Sequence, residues 1–479
     1  MKYDAIIIGG GLGGLTAGAK LAKEGKIVLL IEQHTKPGGC ATTFSRRGFT
    51  FEVGLHEMDG PSARDMKNRI FTELDVYGNV QFLKVPEFYR FVSDRVDITI
   101  PHDATAASSL LKERFPKDVS GIDAYFSQLL NPKRKSPEDP PKDQSIGEFL
   151  DSVIENEDLK LVLLGNLGYF HDDPYSLSLA YYSVAQGSYY NNGASFIKGG
   201  SQQLSDYLSS YIRKHRGKVI LNHTVTGFIS ENEKLTGVTF RKSGEDSEIQ
   251  EATGNEIIAN AAMPSIADLL PDNLSVSLKK SIINFKPGAS LLSIYFGFRR
   301  NLKTIGNNHY STFFYNSIKS QADIFSNNKA DFTNRSFTFV DYGQLDSGLA
   351  PEGKSVGALC CIDYCSGWEN LTKEEYKTKK REVANIFISR LEKQIPGFTS
   401  EIEYYEVGTP LTVKRYTLNP EGAVYGFARL PGIPPAETSG LPANLHFASA
   451  WGKTGGGFSG VIYSGYLCAM NILRKRNQV

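Results

Sequence analysis

Two glycine runs at opposite ends of the chain have the spacing that grips a pyrophosphate. Near the start, GGGLGG sets Gly9, Gly11 and Gly14 in a G-x-G-x-x-G register, and near the end TGGGFSG repeats it through Gly455, Gly457 and Gly460. In such a turn the first glycine allows the sharp bend, the second lets the backbone approach the phosphates, and the third lets helix and strand pack closely. The helix N-terminus then meets the anion with free N–H groups and its positive dipole end. Glu32 follows the first run by about 20 residues, where a carboxylate accepts ribose hydroxyls and disfavours a 2′-phosphate. The second run has no such sequel: too few residues follow Gly460 for another strand and acid. An independent second dinucleotide site is therefore not expected there.

The residues after Glu32 separate a longer cofactor from NAD. A NAD domain would enter another crossover helix, whereas this chain runs on through the Gly38–Gly39 doublet, an apolar strand (Phe49 to Val53) and Gly54. His56, in GLHE, is the candidate for moving a substrate proton, with Glu57 as a secondary candidate. The competing reading of His56 is a structural histidine bonded to backbone. No Ser-His-Asp order and no H-E-x-x-H run occurs, so hydrolase and metalloenzyme readings lack residues. Cys360, Cys361 and Cys365 in LCCIDYC lie in an apolar run without nearby histidines and read as reduced core thiols. No metal site is expected.

The elements that must position these groups are visible as patterns. Ala5 to Ile8 is a continuous apolar run, as a strand buried on both faces requires. Leu15, Gly18, Ala19, Leu21 and Ala22 fall at helical spacing, Gly25 ends that helix, and Ile27 to Ile31 forms the next strand. Strands are expected again at Lys218 to Leu221, Val225 to Ile229, Glu256 to Pro264 and Leu445 to Ala448, and a helix at Val461 to Leu473. A length of 479 residues implies two or three domains. With 53 basic against 52 acidic residues there is no global field to draw nucleic acid. The opening MKYDAIIIGGG has no signal-peptide pattern, and no apolar run nears the ~18 residues of a membrane span. A reducing cytoplasm is the expected location.

GGGLGGL, PGGCATTFSRRGFTFEVGLH, FIKGGSQQLSDYL, EVGTPLTVKRYTLNPEGAVYG and GGGFSGVIYSG, in that order, resemble the phytoene desaturase superfamily of carotenoid desaturases, carotenoid isomerases and retinol saturases. PGGC…TF…GLH is nearest the retinol-saturase and isomerase branch. The resemblance implies an α/β fold: a discontinuous Rossmann-like FAD-binding domain with an inserted α+β substrate domain. It puts residues 1–100, 190–285 and 425–479 in the first, and 100–190 and 285–425 in the second. FAD is the implied cofactor, and the closing glycine run is implied to complete the site begun at residue 9, with Gly456 and Gly457 in reach of the same FAD as Gly11. Leu12, Gly13, Gln33, Leu55, Val225, Asn260, Phe458 and Ser459 then join the glycines and Glu32 as cofactor-binding residues, while Arg415, Tyr416 and Tyr425 line the substrate side or fix the domain junction. One departure is Ser449–Ala450–Trp451, where many flavoproteins carry an acid.

The resemblance, with the aromatic run around Tyr169, Phe170, Tyr181, Tyr182, Tyr189 and Tyr190, implies oxidoreduction of a carbon–carbon double bond in a long apolar polyene, by saturation or desaturation. Two alternatives stand beside it: a reduced-flavin cis-trans isomerase without net redox, and a non-catalytic flavin- or lipid-binding protein. A lipid substrate implies peripheral membrane contact. A quinone, oxygen, a separate reductase and a transient nicotinamide all remain open as electron partner. The charged, proline-rich stretch Asn131 to Gln144 reads as a solvated connection.

Overall fold

The computed structural model describes residues 2–63, 65–131, 144–232, 234–244 and 247–476, so the interior of the Asn131 to Gln144 connection lies outside the described residues. The strand Lys2–Ile8 runs in the middle of a parallel array, between Val28–Ile31 and Gln250–Ala259. Ala5 to Ile8 and all of Val28–Ile31 are buried, which is why both stretches are apolar without alternation. Lys218–Ile220 extends the array beyond Val28–Ile31. The other edge of Gln250–Ala259 is shared. Its first half takes the antiparallel strand Lys234–Lys242, itself paired with His223–Glu231, and its last residues take Leu445–Phe447 in parallel.

The parallel strands therefore all end on one side, at Ile8, Ile31, Ile220, Ala259 and Phe447, where open α/β sheets bind ligands. The helices Leu12–Lys23, Gln202–Lys214 and Gly457–Arg476 pack together against the array, with Leu12–Lys23 between the other two. Leu12–Lys23 is buried from Leu12 to Ala22 and stops just before Gly25, whose φ of +77° suits a helix-ending residue. The final helix starts at Gly457, four residues earlier than its apolar pattern predicts. Gly455 and Gly456 lie just before it, and Gly457 begins its first turn.

A second sheet follows the order Ile402–Gly408, Ser290–Phe298, Ser355–Asp363, Phe337–Asp341, Ser311–Phe314, Tyr89–Val92, Asp97–Ile100. Its faces separate by the two-residue period of a strand. Leu292, Ile294, Phe296 and Phe298 pack under the helix Lys373–Gln394, in a core that includes Val383, Phe387 and Leu391. Leu291, Ser293 and Tyr295 face the opposite way, into a cavity.

The expected domain border at residue 100 needs correction. Tyr89–Val92 pairs in parallel with Ser311–Phe314, and Asp97–Ile100 pairs with Tyr89–Val92, so both belong to the second sheet. The partner lies more than two hundred residues away, and no local pattern announces it. Between the sheets, Ala194–Ile197 bridges Met58–Asp59 and Phe82–Lys84. The helix Leu179–Asn192 packs against Met58–Asp59 at this junction. Among the described residues no helix is long and apolar enough to cross a membrane.

Candidate active site

The turn from Lys2–Ile8 into the first helix is held from outside. Asn260, at the end of the neighbouring parallel strand, donates its Nδ2 to the carbonyls of Gly9 (3.1 Å) and Gly11 (3.3 Å). Gly9 takes φ +96°, and a side chain there would strike the Asn260 carbonyl at 2.5 Å. Gly38 donates its N–H to the Gly10 carbonyl at 2.7 Å, docking the second glycine doublet onto the first turn. Glu32 accepts from Gly10 N at 2.5 Å and from His34 N at 2.8 Å, one bond per oxygen. Each oxygen keeps a lone pair for a ribose hydroxyl.

The far end of the chain completes this cradle. Gly13 and Gly465 touch back to back: a Cβ on Gly465 would lie 2.1 Å from the Gly13 carbonyl, and one on Gly13 would lie 1.9 Å from the Ala448 carbonyl. Only bare backbone lets the two helices meet this closely. Gly11, Gly456 and Gly457 consequently line one cavity, as expected of a single site built from both termini. It encloses about 1170 Å³, beyond the ~300–1,000 Å³ of an ordinary ligand pocket and ample for an extended dinucleotide and a second molecule.

Most predicted cofactor-binding residues line that cavity: Gly9, Gly11, Leu12, Gly13, Glu32, Gln33, Gly38, Gly39, Gly54, Val225, Asn260, Gly456, Gly457, Phe458 and Ser459. Gly14 does not. It packs the helix on the strand, since its Cβ would lie 2.4 Å from the Gly9 carbonyl. Leu55 is fully buried behind the wall, its carbonyl accepting from the Tyr342 hydroxyl at 3.1 Å. Ser459 reaches the cavity, but its hydroxyl donates to Asp59. Asn260 spends its amide on the glycine turn.

On the substrate side, Tyr416 and Tyr425 line the cavity and Arg415 does not. Arg415 is exposed, with its guanidinium 5.6 Å from the Tyr416 ring centre. Tyr416 lies beside His34 (rings 5.0 Å apart) and accepts from Gln33 at 3.3 Å on its carbonyl, which puts it at the Glu32 end of the cleft. The helix Leu179–Asn192 sorts the predicted aromatics by face. Tyr181 and Tyr189 face the cavity, whereas Tyr182 bonds inward to Tyr125 (2.9 Å) and the Leu163 carbonyl (3.0 Å). Tyr169, Phe170, Phe313, Tyr315 and Cys360 complete an apolar lobe against the second sheet.

His56 lines the cavity, its Nδ1 3.2 Å from the Tyr169 hydroxyl. Burial pulls its pKa down to about 4, so the ring is neutral near pH 7. Burial pushes the thiols of Cys40 up to about 11 and Cys360 up to about 12, which keeps these two cavity-lining cysteines protonated and poorly nucleophilic. Cys361 and Cys365 are also buried and free. Among the described residues no group of His, Cys, Asp and Glu could hold a metal ion. Ser176, His171 and Asp172 do form a hydrogen-bonded row, at 3.1 and 3.0 Å. Ser176 also donates to Asp173 at 2.8 Å and does not line the cavity, so the row supplies no nucleophile.

Sequence reasoning missed two buried acidic clusters. Glu52 accepts from the N–H groups of Gly54 (3.1 Å), Leu55 (3.0 Å) and Ser201 (2.6 Å) and from the Ser201 hydroxyl (2.8 Å), fixing the GLHE segment to the start of the helix Gln202–Lys214. Fully buried Lys67 bonds Asp59 at 2.8 Å and Asp65 at 2.6 Å, and Tyr463 of the last helix donates to Asp65. Neither cluster has a motif, because its members meet only across elements.

A family model described as flavin containing amine oxidoreductase matches residues 12–473. The prolycopene isomerase of Daucus carota is 27% identical, over 98% of this chain and 80% of that protein. The all-trans-retinol 13,14-reductase of Rattus norvegicus is 25% identical, over 99% and 86%. Among solved structures, an oxidoreductase from Methanosarcina mazei superposes with a TM-score of 0.69 at 18% identity, covering 99% of this chain and all of that one.

Proposed function

From a chain that belongs to the flavin containing amine oxidoreductase family, and is thus an FAD oxidoreductase like the desaturase, isomerase and retinol saturase group it resembles, we propose an enzyme that saturates or desaturates a carbon–carbon double bond of a long apolar polyene. The observation that carries this reading is the continuity of the cavity: the glycine cradle opens directly onto a lobe of Tyr169, Phe170, Phe313, Tyr315 and Cys360. FAD supplies hydride chemistry when bound. Gly9, Gly11 and Gly39 would hold the pyrophosphate, Glu32 the ribose, Val225 and its neighbours the adenine, and Gly54 and Gly456 to Phe458 the ring. The sheet face excludes water and holds the chain of the substrate flat against the cradle. His56, neutral and tied to Tyr169, orients the wall and is a poor acid at pH 7.

A redox-neutral cis-trans isomerase is the second reading, favoured by the similarity to prolycopene isomerase. Polyene substrates dissolve in bilayers, so we expect the protein in the cytoplasm with peripheral membrane contact. The test is expression in polyene-producing cells, with lipid masses and the flavin spectrum followed together. A gain or loss of two hydrogens supports the oxidoreductase, and unchanged mass with shifted retention supports the isomerase. Bound flavin that neither reduces nor reoxidises with any polyene would leave only a binding role. Protein that cannot be reconstituted with FAD overturns the reading.

A further inference from the structure

Two buried carboxyl groups lie five residues apart in the segment entering the cavity, and they are treated oppositely. Glu52 is 1% exposed and receives four donors from Gly54, Leu55 and Ser201. Glu57 is 7% exposed, lines the cavity, and neither of its oxygens has a hydrogen-bond partner among the described residues. No cation is paired with it there either; the nearby Lys67 is committed to Asp59 and Asp65. The groups around it are acidic or phenolic: Glu87, Tyr169, Tyr189 and Tyr310, with neutral His56 adjacent.

An orphaned buried carboxyl destabilises a fold by about 1–3 kcal/mol, so its presence needs a reason outside folding. We propose that Glu57 is the proton-exchanging residue of this cavity, giving a proton to, or taking one from, a carbon of the substrate chain. This rests on the polyene reading above. Burial, and next the charge of Glu87, raise its pKa well above the ordinary carboxyl range, which favours the protonated acid. In a saturation, the proton leaves Glu57 and forms a C–H bond at one alkene carbon. The reduced cofactor, when bound, would supply the hydride for the neighbouring carbon, the π bond is consumed, and solvent reprotonates the Glu57 carboxylate. Desaturation is the reverse. In a redox-neutral isomerisation the same proton adds to the polyene, the resulting cation rotates, and the proton returns to Glu57.

The experiment compares holoenzyme with the Glu57→Gln, Glu57→Asp and Glu57→Met variants, using all-trans-retinol and prolycopene as probes. Glu57→Gln should keep full flavin content and lower turnover by about 100-fold or more, the usual worth of a positioned acid. Glu57→Asp should recover part of the loss with a shifted pH profile. Glu57→Met should leave the unfolding midpoint unchanged or higher, where the matching Glu52→Gln lowers it. Infrared spectra of wild type should contain a protonated carboxyl band that shifts in heavy water and is absent from Glu57→Gln. Absence of that band, or equal turnover by Glu57→Gln, overturns the proposal. Should wild type convert neither probe, the substrate reading fails by itself, and the infrared band still decides whether Glu57 holds an exchangeable proton.

Discussion

The two walls of the cavity follow opposite building rules. The cofactor wall is mostly backbone: Gly9, Gly11, Gly39 and Gly456 present main chain, and the few side chains there, Asn260 and Glu32, hold that backbone in shape. The facing wall is mostly side chains on a largely antiparallel sheet, Tyr295, Phe313 and Cys360 among them. A backbone wall tolerates no added atoms but asks little of chemistry. A side-chain wall tolerates exchange of one apolar group for another and is where specificity resides.

The sharpest way to break the comparison is Gly13→Val. Its side chain would start 1.9 Å from the Ala448 carbonyl, so overpacking of about 3 kcal/mol or more should push the helix Leu12–Lys23 away from the chain that follows Leu445–Phe447. The expected outcome is protein purified without flavin, or none soluble, read from the absorbance ratio of the product. Next in size, Lys67→Met leaves Asp59 and Asp65 buried without their cation and should cost about 3–5 kcal/mol in denaturant unfolding. Glu32→Ala orphans the Gly10 and His34 N–H groups and removes the ribose acceptor. FAD affinity, followed by flavin fluorescence, should fall about 10- to 100-fold, in line with 1–3 kcal/mol.

Proton linkage belongs to the side-chain wall. Burial holds His56 and, at the edge of this region, His102 near pKa 4, below the ~6.5 of an unfolded histidine. Between those values the unfolded chain binds the proton and the folded chain does not, so stability declines as pH falls from about 6.5 towards 4. His102→Phe, beside Phe88 with rings 5.4 Å apart, should flatten that limb by about 1.4 kcal/mol per pH unit, measured from denaturation midpoints across the range. Smallest of all, Arg415→Ala should leave flavin content, turnover and unfolding midpoint unchanged, because the guanidinium stands outside the cavity.

Much of the cofactor wall was legible because its demands are local. A tight turn, a buried strand and an acid at the next strand end leave glycines, apolar runs and Glu32 at fixed offsets, so Gly9 to Glu32 read correctly as one unit. Gly456 and Gly457 line the same cavity as Gly11, as the resemblance implies. The domain border at residue 100 misread Tyr89–Val92, whose partner strand Ser311–Phe314 is far along the chain. Arg415, put on the substrate side or the domain junction by the resemblance, stands exposed outside the cavity, because a shared motif does not say which way a long side chain points.

By itself, the sequence determined that a glycine turn joins the first strand to the first helix, that glycines from both ends of the chain are spaced for close backbone approach, and that aromatic stretches lie between them. Each follows from short-range sterics: φ above zero, bare backbone against backbone, and the periods of strand and helix. Only the tertiary structure decided which groups are chemically available. Glu52 and Glu57 are the same residue type in one short segment, yet one is saturated by Ser201 from a distant helix and the other faces the cavity unpartnered. The protonation of Glu57 and of His56 is set by burial and by residues far away in sequence, a property of the assembled interior.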